Sequence, residues 1–390
     1  MLLCVAHYLH VMKPSFHTPF NYRYLTGAFL LSALFLGGKA QAQVDFYVSE
    51  TAQSNHATTI LEFAFNPTTG TATPIGTYTP TGVFGGTTAE EDNLQFTENG
   101  TSLSYAGFTS AAATKSSEVL FTPSTGAFDT STTASGTIRS SYYGTTTGGT
   151  SGFFGATGSQ SLAFVSHGGT ASASVVSNTG TLTGEIGTSA IDVTYNGGTQ
   201  NLYYTRNTTN GGVYTPSTNG LGLVASAVPF TELTGSGWGT GNLYTGMAFL
   251  GTSNLFVANT TTNTLDLFTA ANPDETTDWN LKFHLTLSTT EDIEQISVDP
   301  LSATTADIFF TTDGNASGVL STGGISTIEE VSYNSSTGFG TPNDLESSST
   351  EYFTGVAAVP EPGTYGMFGL GFGLLVWIAR KKAGRKAFLS

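Results

Sequence analysis

Apolar residues in this chain do not recur every three or four positions. Between residues 43 and 358 they fall in short β-branched and aromatic runs, cut by Gly, Asn, Pro, Ser and Thr. That rhythm predicts strands and tight turns rather than helices. Lys, Arg, Glu, Ala and Leu are too sparse to fill helices. Low charge alone would suit a disordered chain, but aromatic residues make up 12% of the sequence, which demands a packed core.

The strands repeat. An apolar strand running into a Thr-Gly-type turn recurs at Phe65–Gly70, Phe121–Gly126, Val176–Gly180, Tyr214–Gly220 and Tyr333–Gly338, with a looser copy at Phe268–Asp274. Each reads as a hairpin with glycine where positive φ is needed. Upstream lies a pair of strands. Examples are Asn93–Phe96 with Ser102–Tyr105, Ile191–Val193 with Asn201–Tyr204, Met247–Phe249 with Asn254–Val257, and Ile296–Val298 with Asp307–Phe310. Gly152–Phe154 with Ser161–Phe164 is a weaker copy. Three strands plus one after the turn make a four-stranded unit of roughly 40–60 residues, the length of a propeller blade.

The first unit opens on Val44–Tyr47 and lacks an inner strand. Tyr352–Ala357 can supply it and so hide both sheet edges. The reading is all-β, a six-bladed β-propeller over residues 43–358. Seven blades is the alternative count, and a pair of β-sandwiches or a β-helix the alternative fold. Ser140–Gly158, rich in Gly, Thr and Ser, reads as a long loop or insertion. The degenerate repeat resembles the lactonase-like and WD40-like propellers.

Two end segments depart from this pattern. Lys13 and Arg23 precede an apolar stretch from Leu25 to Leu36, and Ala40-Gln41-Ala42 puts small residues, Ala40 and Ala42, where a signal peptidase reads. Residues 1–42 are expected to be a secretory signal peptide, with Met12 the start that gives a leader of normal length. At the other end, Val359-Pro360-Glu361-Pro362 precedes an apolar run from Tyr365 to Ala379, then Arg380, Lys381, Lys382, Arg385 and Lys386. The run sits at the lower limit for a helix crossing about 30 Å of hydrocarbon. The basic cluster should stay cytoplasmic and leave the bulk of the chain outside. Pro360 and Pro362 hold the motif extended, a shape a protease cleft can read.

Motif, single span and basic end, in that order over residues 359–390, resemble the PEP-CTERM sorting tail of exported bacterial proteins. The resemblance implies a partner: a membrane protease of the exosortase class, which recognises the Pro-Glu-Pro and removes the span. A permanent single-pass anchor is the alternative.

Cys4 is the only cysteine and is lost with the leader, so the exported part is held without disulfides. Without its two ends the chain keeps only Lys115, Arg139, Arg206 and Lys282 against 27 acids, a net charge near −23. That excludes nucleic acid as a partner and disfavours attraction to anionic lipid, while favouring cations.

Motifs of catalysis are missing. His56, His167 and His284 are dispersed without zinc spacing, and neither HExxH nor GxSxG occurs. Acids do precede three of the expected inner strands: Glu90-Glu91-Asp92, Glu291-Asp292 with Glu294, and Glu351. Such connections reach the mouth of a propeller channel. Glu91, Asp92, Glu291, Asp292 and Glu351 are therefore candidate oxygen ligands for Ca²⁺, with solvated loop charges as the alternative.

Two functions follow. One is an exported, non-enzymatic surface or matrix protein whose propeller binds polysaccharide, protein or a cation. Here the tail resemblance implies a link to exopolysaccharide and biofilm. The other is a secreted propeller hydrolase of lactonase type with a channel Ca²⁺.

Overall fold

The computed structural model describes residues 44–359, except 86–92, 98–99, 112–114, 135–137, 158–161, 175–190, 197–198, 207–210, 216–222, 226–229, 240, 288–291 and 314–323. Among these residues it is all strand and turn. In chain order the strands are β1 (Val44–Ala52), β2 (Thr58–Asn66) and β3 (Thr71–Tyr78), then β4 (Gln95–Phe96), β5 (Leu103–Phe108), β6 (Ser116–Thr122) and β7 (Ala127–Thr133). Next come β8 (Ile138–Thr145), β9 (Ser151–Thr157), β10 (Leu162–Ser166) and β11 (Ala173–Ser174), then β12 (Ile191–Asn196), β13 (Thr199–Arg206), β14 (Gly212–Thr215) and β15 (Thr231–Glu232). The rest are β16 (Tyr244–Leu250), β17 (Asn254–Asn259), β18 (Thr264–Ala270), β19 (Trp279–Thr286), β20 (Asp292–Pro300), β21 (Thr305–Asp313), β22 (Ser326–Asn334), β23 (Gly338–Phe339), β24 (Asn343–Ser348) and β25 (Glu351–Ala358).

They form six antiparallel sheets, the six blades of a propeller. Five follow the chain, and the remaining one, the first blade, has the order β25-β1-β2-β3. The predicted closure is therefore present: β25 is the inner strand of the first blade, pairing Phe46 with Ala358, Val48 with Val356 and Thr51 with Tyr352. The last two strands of the sixth blade share one partner, since β23 and β24 both pair with β22.

The turns at Phe65–Gly70, Phe121–Gly126 and Tyr333–Gly338 join third to fourth strands, as the repeat predicts. The Val176–Gly180 copy lies outside the described residues and follows β11, the fourth strand of its blade, so it is not such a turn; residues 216–220 of the Tyr214–Gly220 copy also lie outside them. In the first blade the Asn66 side chain accepts a bond from Thr68 N at 3.0 Å, and Gly70, at φ 65°, closes the turn onto the Asn66 carbonyl at 2.9 Å. In the last blade Asn334 accepts from Ser336 N at 2.9 Å, with Gly338 at φ 85°. Asparagine caps its own turn, and glycine takes the left-handed position.

The expected loop at Ser140–Gly158 is a misreading. Ile138–Thr145 is the inner strand of the third blade, and Ser151–Thr157 is the second. Gly152–Phe154 and Leu162–Phe164 are thus second and third strands, not first and second. The small residues that suggested a loop are set by close packing. A Cβ on Gly152 would lie 2.3 Å from the Val165 carbonyl, and one on Gly155 2.6 Å from the Ile138 side chain. Ser140 and Ser141 are fully buried.

The core is divided among the blades. Six apolar clusters fall one to each interface between neighbouring blades. They are unequal. Blades six and one meet through Phe46, Phe63, Phe65, Phe309 and Ile328, whereas blades two and three share only Ala106, Ala134, Ile138 and Val165.

Serine and threonine have a job here that composition does not reveal. An inner strand is an edge of its own sheet, and its outward backbone groups need partners. Hydroxyls of the preceding blade supply them. Ser116 Oγ accepts from Ile138 N at 2.6 Å and Ser104 Oγ from Tyr143 N at 3.1 Å. Thr205 Oγ1 donates to the Thr245 carbonyl at 2.9 Å, Ser326 Oγ accepts from Phe353 N at 2.9 Å, and Ser297 Oγ from Ala358 N at 2.9 Å.

Candidate functional site

All six inner strands run in one direction around the channel. This defines an upper mouth, where they begin, and a lower mouth, where they end. Two of the acids singled out from the sequence as candidate ligands are described, and both belong to the upper mouth. Asp292 opens β20 and Glu351 opens β25. Glu91, Asp92 and Glu291 lie outside the described residues, as do Ala40, Ala42, Pro360, Glu361, Pro362, Arg380, Lys381 and Lys382.

Asp292 is 3% exposed, and burial pushes its carboxyl up to about 6. With the Asn263 amide oriented to satisfy both its atoms, Asn263 Nδ2 donates to Asp292 Oδ1 at 3.0 Å and to the Thr260 carbonyl at 3.1 Å. Glu351 is engaged elsewhere. It lies near Glu50 of β1, whose carboxyl is pushed up to about 7, first by burial and then by the charges of Glu351 and Glu346. Burial also raises Glu351. Among the described residues no group of three His, Cys, Asp or Glu is arranged to hold a metal ion. What the upper mouth does have is carboxylates crowded enough to repel one another.

Below these acids the channel is crossed by Gln295, which sequence reasoning passed over. Its side chain leaves β20 and reaches both of the next two inner strands. Oε1 accepts from Val356 N at 2.8 Å and from Leu94 N at 2.9 Å, and Nε2 donates to the Leu94 carbonyl at 2.7 Å. One amide thus joins the sixth, first and second blades, and it is 1% exposed. No local pattern marks a glutamine for this role, because its partners lie 61 and 201 residues away.

The lower mouth holds a cavity of about 160 Å³, lined by Leu94, Phe96, Met247, Phe249, Val298 and the end of β25. Ligand pockets commonly enclose about 300–1,000 Å³, so this one has room for one or two side chains rather than a sugar-sized substrate. From this rim the chain leaves. Val359 N still donates to the Asp45 carbonyl at 2.9 Å, so the β25–β1 ladder extends to the residue before Pro360.

Known proteins add a class to this geometry. Residues 358–382 match the model of the PEP-CTERM protein-sorting motif. The chain thus carries the sorting signal of an exported protein, anchored by its C-terminal segment and later found at the cell surface or outside it. No curated protein matches the chain. Among solved structures it is similar to the periplasmic gluconolactonase PpgL of Pseudomonas aeruginosa (10% identity, TM-score 0.47, covering 82% of this chain and 100% of that one). It is also similar to a putative 6-phosphogluconolactonase of Bacteroides fragilis (12%, 0.47, 83% and 99%). The β-propeller domain of Myceliophteria thermophila Cps50 (Swd1) is a further likeness (9%, 0.41, 78% and 86%). At these identities and scores the likenesses carry nothing about the chemistry of this chain. Among the described residues no helix is long and apolar enough to cross a membrane. The expected span, Tyr365 to Ala379, lies outside them.

Proposed function

We propose that this chain is a non-enzymatic binding or structural propeller, exported through its signal peptide and handed to an exosortase-type protease by its tail. It works at the cell surface or in the extracellular matrix, with exopolysaccharide as the partner class and biofilm as the setting. The observation that carries this reading is the sorting motif at 358–382, placed directly after the strand that closes the propeller. Intact mass of the protein from cells with and without the protease tests it. Loss of the C-terminal segment near Pro360-Glu361-Pro362 only when the protease is present supports sorting. A tail retained in both makes the span a permanent anchor. Co-sedimentation of the released propeller with exopolysaccharide from the same cells tests the partner, and no binding above a protein-free control would remove it.

A second reading, a hydrolase of lactonase type holding Ca²⁺, is favoured by one observation: the crowding of Glu50 and Glu351 at the upper mouth. Glu91, Asp92, Glu291, Asp292 and Glu351 would supply the oxygens. On this reading Ca²⁺ raises the melting temperature of the wild type, and Glu91→Ala with Glu291→Ala abolishes the rise. A melting temperature indifferent to Ca²⁺ in the wild type would sink it.

A further inference from the structure

The described chain begins and ends at the same end of one β-ladder. β1 begins at Val44, two residues after the expected signal cleavage at Ala42, and runs upward from the lower mouth. β25 runs down beside it, and the ladder ends with Val359 N bonded to the Asp45 carbonyl at 2.9 Å. Pro360 follows with no spacer. The apolar run begins at Tyr365, six residues beyond Val359. Fully extended, those six residues span at most about 22 Å. The headgroup layer over each side of the hydrocarbon is itself about 5–8 Å thick. While the tail is anchored, then, the lower face of the propeller has no more than about 17 Å between it and the lipid surface.

Close to the channel the two faces differ in charge. Turns between inner and second strands crowd the lower face, and where they are described they carry no charge. They are Thr146–Thr150 in the third blade, Gly251–Ser253 in the fifth and Leu301–Thr304 in the sixth, with Leu301 40% exposed. The third-to-fourth turn of the fifth blade, at the outer part of the same face, does carry exposed Asp274 and Glu275. The upper mouth carries Glu50, Asp292 and Glu351. A chain near −23 is not drawn to anionic lipid; the tether holds it there.

We propose that the lower face of the propeller, bearing the turns at 146–150, 251–253 and 301–304, is a membrane-apposed surface that rests on lipid headgroups until the tail is cut. The acidic upper mouth is presented outward throughout. The inference rests on reading 358–382 as a membrane anchor, and it adds an orientation and a contact surface to that reading. One consequence is that the sorting protease meets its motif pressed between the propeller and the bilayer.

The exported part contains no cysteine, so single cysteines give a clean measurement. Ala303→Cys and Thr150→Cys mark the lower face; Ser54→Cys and Ser349→Cys mark the upper. All four positions are exposed. Each full-length variant is labelled in spheroplasts lacking the sorting protease, using a maleimide that carries a bulky polyethylene glycol chain. The expected result is several-fold slower labelling at 303 and 150 than at 54 and 349, with the difference lost once detergent dissolves the membrane. Equal labelling at both faces before detergent overturns the proposal. Protection seen only when the protease is present, or surviving detergent, overturns it in favour of a protein partner. A precursor found in the soluble fraction overturns the anchor reading itself, and this inference with it; a membrane-bound precursor with equal labelling leaves the anchor standing and removes only the orientation.

Discussion

The interface between blades six and one and the interface between blades two and three do the same mechanical job with opposite materials. The first joins the two ends of the chain through rings. Phe46 stacks on Phe63 at 5.1 Å and on Phe309 at 4.7 Å, and Phe309 meets Phe65 edge-on at 5.2 Å. The second joins blades adjacent in sequence through two alanines, an isoleucine, a valine and a set of hydroxyls, with one fully buried acid, Glu118, among them. Blades two and three stay close through a short connection even when their packing is thin. Blades six and one have β25 to place against β1 across the whole length of the domain, and loop closure over such a distance must be offset by burial. Apolar payload is concentrated where the chain itself helps least.

Truncating a ring should break that contrast most visibly. Phe46 is 0% exposed and contacts both blades, so Phe46→Ala removes a stacked ring and leaves a cavity at the closure. The expected loss is about 3–5 kcal/mol by urea denaturation, whereas Ile138→Val at the other interface should cost about 1 kcal/mol. Comparable losses at the two positions would mean that the closing interface has no special share of the stability.

Gln295→Ala is the next largest. It strips partners from Val356 N, Leu94 N and the Leu94 carbonyl together. Each orphaned buried group costs about 1–3 kcal/mol, but the cavity of about 160 Å³ alongside admits water to some of them, so a net loss of about 2–3 kcal/mol is expected. Hydrogen exchange gives the sharper readout. The Val356 and Leu94 amides should lose protection while amides of the fourth and fifth blades keep theirs. Unchanged protection at Val356 would show that the clasp does not hold the closing strand.

The sequence announced the closing strand but not its fastenings. Tyr352–Ala357 was legible because a propeller unit that starts on its second strand must borrow a first from elsewhere. The turns at Asn66–Gly70 and Asn334–Gly338 were legible because their chemistry is local, an Asx bond and a left-handed glycine. β8 was not, since a strand built from Ser, Tyr and Gly looks like a loop until the neighbouring blade shows why large side chains are barred. The acids at the upper mouth were read as a group from their positions before inner strands. Asp292 turns out to lean on Asn263 and Glu351 on the Glu50 side, pairings set by the pleat of strands far apart in sequence. Gln295 and Glu118 were invisible for the same reason: their roles belong to the interface between blades, and a single strand does not encode its neighbour.

Glu118→Gln tests the second interface by its electrostatics, with the smallest expected effect of the three. Burial pushes the Glu118 carboxyl up to about 8, and the Ser141 hydroxyl beside it opposes the rise only weakly. Neither carboxyl oxygen has a partner of hydrogen-bonding geometry among the described residues. From an ordinary carboxylate value of 4.5 up to about 8, the folded chain holds a proton that the unfolded chain has lost, so stability falls as pH rises through that window and levels off above it. Glu50 and Glu330, both near 7, and Asp292, near 6, add to the slope in the same direction. Asp129 acts oppositely and only in strong acid. Its bonds from Ser131, and then from His167, hold it near 2, so its contribution is present above its unfolded value of 3.8 and fades as pH drops towards 2. Glutamine at 118 cannot ionise, but its amide hydrogens are as unmet as the carboxyl was, which takes back part of the gain. The variant should therefore lie about 2 kcal/mol below the wild type near pH 4.5 and exceed it by about 2 kcal/mol at pH 9, read from urea midpoints. A wild-type slope retained in Glu118→Gln would place the alkaline weakness at the acids of the upper mouth and of the closing interface, and would leave the thin interface between blades two and three electrostatically silent.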